Sequence, residues 1–187
     1  MSEIRILVLG DTSTNLAHTL NRERIARAHT AHAISGTAEH IKECTVDGEE
    51  LLIVIRAKDL TELDEVHCFE AGSPPDGLFL VYDVTSVHSF QSIARALEHI
   101  VSMEWEPRLP PLNLSKRRAE HRPLSHPPTY LVADTVWAVS ETELELSLED
   151  GQALAAQFGC EFCQVSSEVN EEVDRIVMRL VRQIVNR

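Results

Sequence analysis

The first residues with the types and spacing for chemistry are Gly10, Asp11, Thr12, Ser13, Thr14 and Asn15, which follow an apolar run at residues 4–9. A strand that empties into a Gly-led turn and then a helix is an arrangement that holds phosphate. Its backbone N–H groups cradle the oxygens, a Lys reaches them and a Ser/Thr hydroxyl holds Mg²⁺. That chemistry needs G-x-x-x-x-G-K-[ST]. Counting from Gly10, this chain offers Asn15, Leu16 and Ala17 instead, so the first glycine stands and the second glycine, the lysine and the hydroxyl are replaced.

Three other arrangements bring together residues capable of chemistry. Cys160-Glu161-Phe162-Cys163 has C-x-x-C spacing, but residues 162–165 read as a strand, where positions three apart point to opposite faces. His29 and His32 share a helical spacing, yet no thiol or carboxylate set nearby completes a metal site. Asp134 ends an apolar run, where open α/β sheets place catalytic groups. One acid is not a mechanism, and the chain has no nucleophile elbow and no defensible His–acid pair. No catalytic, cofactor-binding or metal-ligating residue is therefore assigned.

The elements that must position these residues come from a chain of 187 residues, enough for one well-buried domain. A hydrophobic share of 43% and a mean hydropathy of −0.12 describe an ordinary globular protein. No apolar run approaches the roughly 18 residues of a membrane span. The N-terminus lacks the layout of a signal peptide and the C-terminus lacks a prenylatable cysteine, so a cytoplasmic chain without a membrane anchor is expected. Its four cysteines are expected as buried thiols rather than a disulfide framework. The net charge of −13 argues against nucleic acid as a partner. Residues 106–128 carry five Lys/Arg against two Glu, so the remainder carries −16.

Along the chain, residues 16–28 read as a helix. Asp47-Gly48 between β-prone runs predicts a hairpin joining 43–46 to 49–55. Residues 56–72 read as a loop, 78–82 as a strand, and 89–101 as a helix with Phe90, Ile93, Ala94, Leu97, Ile100 and Val101 on one stripe. Residues 106–128 hold six of the eight prolines and read as a basic loop or disordered excursion. A strand follows at 130–133. Ser147 caps a helix that runs to Phe158 and stops at Gly159. A strand at 162–165 precedes a final helix, capped by Asn170, with Val173, Ile176, Val177, Leu180 and Ile184 on its buried face. Strands alternating with helices predict an α/β fold, a mostly parallel six-stranded sheet with helices on both faces.

Several local matches in this order resemble the Ras superfamily of small GTPases, a P-loop NTPase-like fold. Val46-Asp47-Gly48-Glu49 sits like their hairpin turn. Leu80-Val81-Tyr82-Asp83-Val84-Thr85 followed by Ser89-Phe90 echoes their fourth strand and next helix. Phe158-Gly159-Cys160-Glu161-Phe162 with Val165-Ser166-Ser167 echoes their C-terminal quarter. The resemblance covers a single domain, residues 1–187, with 106–128 as an insertion.

In the register of that family, Leu16 and Ala17 replace the phosphate-loop Lys and hydroxyl. The D-x-x-G motif becomes Ala57-Lys58-Asp59-Leu60, and shifting it to Asp59 leaves Glu62 at the glycine. The guanine-reading N-K-x-D becomes Asp134-Thr135-Val136-Trp137, the S-A-K motif becomes Ser166-Ser167-Glu168, and the switch threonine has only Thr37 or Thr45 as guesses. Each lost charge-assisted bond to phosphate costs about 1.5–3 kcal/mol, and hydrolysis also needs metal-stabilised charge. The resemblance and the losses together imply a pseudo-GTPase. It would be a protein-interaction module or complex subunit, not an enzyme, without GTP, GDP or Mg²⁺ as cofactor and with unidentified protein partners. In the family, partners read the segments equivalent to 30–50 and 56–75, and the basic insertion is a second candidate contact. The alternative is a divergent small GTPase that still holds guanine nucleotide through backbone contacts at 10–15, with little or no hydrolysis.

Overall fold

The computed structural model describes residues 2–10, 38–60, 75–102, 126–135 and 146–187. In chain order the elements are β1 (Ser2–Gly10), β2 (Ala38–Val46), β3 (Glu49–Asp59), β4 (Gly77–Asp83), α1 (Val87–Ser102), β5 (Thr129–Asp134), α2 (Leu148–Phe158), β6 (Glu161–Val165) and α3 (Asn170–Val185). The six strands form one sheet in the order β2-β3-β1-β4-β5-β6. Every pairing is parallel except β2 with β3. This is the expected α/β sheet with helices on both faces.

Side-chain alternation explains why the central strands read as unbroken apolar runs. Phe79 and Val81 of β4 and Tyr130 and Val132 of β5 face α3, with its Val173, Val177, Leu180 and Ile184. Leu78, Leu80 and Tyr82, with Leu131 and Ala133, face α1 through Ile93, Leu97 and Ile100, and α2 through Ala155. Both faces are covered, so both sets of alternating positions must be apolar. The hairpin turn takes left-handed backbone at Asp47 (φ 52°) and Gly48 (φ 83°), the geometry that matches the twist of the flanking strands.

Helix α2 starts and stops where its sequence signals lie. Ser147 accepts from the Asp150 amide at 3.2 Å, while the Asp150 carboxylate accepts from the Ser147 amide at 3.2 Å. Gly159 closes the helix at φ 68°. Within it, a Cβ on Gly151 would stand 2.6 Å from the Phe162 ring and closer still to the Tyr82 hydroxyl. Alanine would gain about 1 kcal/mol in helix propensity, yet Gly151→Ala is expected to lower stability by about 1–3 kcal/mol through overpacking. A denaturant midpoint below that of the parent protein checks this.

Three expectations are corrected. Residues 56–59 are not loop: they extend β3, with Arg56 to Asp59 paired to Leu7 to Gly10. A ladder partner on β1 outweighs their polar composition. Helix α3 is preceded by Val169, which makes no side-chain cap, and Asn170 is its first residue. Instead the Glu172 carboxylate reaches back to accept from the Ser166 amide at 2.9 Å. On α1, Val101 is exposed, and Ala96 belongs to the buried stripe. The expected helix at 16–28 and residues 106–125 of the proposed insertion lie outside the described residues. Next to that segment, the Pro128 carbonyl accepts from the Leu78 amide at 2.9 Å and so sets the entry to β5.

Candidate functional site

Because β1, β3, β4, β5 and β6 run parallel, their C-terminal ends meet at one edge of the sheet, where open α/β sheets bind ligands. Gly10 ends β1 beside Asp59 of β3 and Val81 of β4. Asp83 ends β4 beside Asp134, the end of β5. This edge is where the degenerate motifs fall.

Asp83 is buried. One carboxylate oxygen accepts from the Thr85 amide at 2.8 Å and the Thr85 hydroxyl at 2.7 Å, and the Asp83 amide donates to the Ser89 hydroxyl at 3.2 Å. This Asx-type turn bends the chain from β4 into α1. The pattern Asp-x-Thr signalled it, although the sequence reading gave Asp83 no role.

Asp134 is 1% exposed, and its carboxylate accepts from the Ser167 amide at 3.1 Å. The Thr135 amide and hydroxyl both donate to the Val165 carbonyl, at 2.9 and 3.2 Å. With the Ser166 amide held by Glu172, three backbone donors at the exits of β5 and β6 are committed within the protein. The side chains that the N-K-x-D and S-A-K registers place here are carboxylates, Asp134 and the exposed Glu168. A carboxylate accepts hydrogen bonds and does not donate them, so neither can donate to guanine O6 or N7.

The D-x-x-G register falls on the end of β3. Ala57, Lys58 and Asp59 pair with Val8, Leu9 and Gly10, and Leu60 is buried in the apolar cluster with Leu7 and Leu9. The position of the motif's glycine is therefore held by a side chain anchored in the core. Thr45, one of the two guesses for the switch threonine, is an exposed residue of β2. Asn15, Leu16, Ala17, Thr37, Glu62, Val136 and Trp137 lie outside the described residues, as do His29, His32 and Cys68.

The C-x-x-C pair is split across the sheet. Cys163 packs against the cluster beneath α3, and Cys160 against the cluster on the other face. Burial pushes the Cys160 thiol up to about 11 and the Cys163 thiol up to about 12. Burial, then the nearby Asp150 charge, pushes the Tyr82 hydroxyl up to about 12. All three groups keep their protons in the folded chain at a pH where the unfolded chain has begun to lose them. Stability is therefore expected to be full below about pH 9 and to fall as pH rises through 9 toward 12. Urea midpoints measured across that range check the sign. Among the described residues no group of three or more His, Cys, Asp or Glu is placed to hold a metal ion.

The sheet order, the two covered faces and the strand-end corner define a Ras-like α/β domain of the P-loop GTPase type. The family model of the Ras family matches residues 6–186, and this chain belongs to that family. It is 26% identical over 193 residues to protein ras-2 of Neurospora crassa, spanning 96% of this chain and 78% of that protein. It is 24% identical over 185 residues to the human GTP-binding protein REM 1, spanning 96% of this chain and 54% of that protein. Membership overturns one expectation: the motif losses argued that the chain is not an enzyme, but its family is one of GTP hydrolases. No described helix is long and apolar enough to cross a membrane.

Proposed function

We propose that this Ras-family chain acts through protein–protein contact and holds guanine nucleotide weakly compared with relatives that keep the full motifs. The observation that carries the reading is the corner at Asp134. The amides of Thr135, Ser166 and Ser167 are already bonded within the protein, and the side chains that replace the motif residues there, Asp134 and Glu168, cannot donate to guanine O6 or N7. The buried Leu60 supports the same reading, because the D-x-x-G position is anchored in the core. A net charge of −13 favours protein partners over nucleic acid.

A second reading, a nucleotide-loaded divergent GTPase, is favoured by the likeness to the human GTP-binding protein REM 1. Purification without added nucleotide, followed by acid precipitation and an ultraviolet spectrum of the supernatant, separates the two. The docking reading expects far less than one guanine nucleotide per chain. Stoichiometric guanine nucleotide would establish the second reading.

A further inference from the structure

We propose that the solvent face of α3 is a docking site for an acidic helical segment of a partner protein. The proposal rests on the docking reading above and names the surface that would serve it. Between Glu172 and Val185 of α3 the exposed residues are Arg175, Arg179 and Arg182, and no other type occurs there. They stand at i, i+4 and i+7, one line along the helix spanning about 10 Å. The opposite face, with Val173, Val177, Leu180 and Ile184, is buried on the sheet, so the arginines point away from it.

A helix dipole favours a cation in the last turn, which accounts for Arg182 but not for Arg175 or Arg179. Nor is the line a by-product of composition, since the chain carries 30 Asp and Glu against 17 Lys and Arg. The middle arginine is already oriented. Arg179 donates to the Glu161 carboxylate at 3.0 Å and lies 5.6 Å from the centre of the Tyr130 ring. Arginine presents a planar fork that matches carboxylates, and holding it in place reduces the entropy lost on binding.

The spacing and charge select the partner. Carboxylates at i, i+4 and i+7 of a second helix rise by the same increments as these arginines. An extended polyanion, such as an anionic membrane or a nucleic acid, would also meet the acidic remainder of the chain, which carries −16 outside residues 106–128. A short acidic helix meets the stripe and the Glu161 carboxylate already paired with Arg179, while acids more than about 8 Å away are screened at physiological salt. A symmetric contact through this face would set arginine against arginine. None of the described helices displays three acids at the required spacing, so among the described residues a second copy of this chain offers no such partner helix.

The test uses a fluorescent helical peptide of alanine and glutamate, with glutamates at i, i+4 and i+7, and its anisotropy with the full chain at low and physiological ionic strength. Binding is expected, weakening as salt rises. Arg175→Glu with Arg182→Glu is expected to weaken it by about tenfold or more. Arg175→Lys with Arg182→Lys, which keeps the charge and loses the fork, is expected to fall between. The Lys variant should unfold at the parental midpoint, because it keeps both charges at exposed positions, and the Glu variant slightly below it, because it loses the cation in the last turn. No peptide binding, equal binding by the Glu variant, or binding to phosphatidylserine vesicles in place of the peptide would each overturn the proposal. Nucleotide content is measured separately, so weak nucleotide binding can hold while this surface fails, and the reverse.

Discussion

Phe79→Ala is expected to lower the unfolding free energy by about 3–5 kcal/mol, the range for removing a fully enclosed aromatic side chain. Phe79 is 0% exposed at the middle of the sheet, on β4 between β1 and β5. Its ring meets Tyr130 edge-on, with centroids 5.8 Å apart and planes at 66°. Both rings belong to the cluster that α3 covers. Truncation removes transfer free energy, leaves a cavity that a sheet held on both sides is poorly placed to collapse, and breaks the aromatic pair. In a chain of this size each kcal/mol lowers Tm by roughly 2–4 °C, so thermal unfolding should shift by about 6–20 °C. A shift under a few degrees would mean that the face beneath α3 is loosely packed.

Asp134→Ala is expected to cost about 1.5–3 kcal/mol, because it leaves the buried Ser167 amide without its carboxylate acceptor. The consequence is local as well as global. The Asp134–Ser167 bond joins the exit of β5 to the turn before α3 across 33 residues of chain, and the Val84 amide ties β4 to the same corner through the Asp134 carbonyl. Hydrogen exchange at Ser167 should therefore accelerate in the variant beyond the change in global stability. Asp134→Asn keeps a carbonyl oxygen for the Ser167 amide, so its cost should be smaller. Equal losses in the two variants would show that the bond to Ser167 is not what holds the corner.

The parts legible in the sequence were those written in neighbouring residues. Asp47-Gly48 announced its own backbone, Ser147 and Asp150 their reciprocal cap, Gly159 its left-handed stop, and the spacing from Val173 to Ile184 the buried face of α3. What escaped depended on distant partners. Residues 56–59 look like loop until β1 supplies a ladder, and Leu60 looks unplaced until Leu7 and Leu9 surround it. Asp134 read only as a failed guanine contact, because its structural partner, Ser167, lies 33 residues away. Four motif replacements argue against an enzyme, whereas the match from 6 to 186 places the chain in the Ras family, whose members are GTP hydrolases.

The most direct test of weak nucleotide binding is thermal unfolding of the purified chain with and without excess GDP or GTP and Mg²⁺. A ligand at about 100 times its Kd adds about 2.7 kcal/mol, which is roughly 5–11 °C of Tm in this size class. The reading built on Asp134, Glu168 and Leu60 predicts a shift of less than about 1 °C at millimolar nucleotide. A shift of several degrees, specific for guanine over adenine nucleotides, would contradict it.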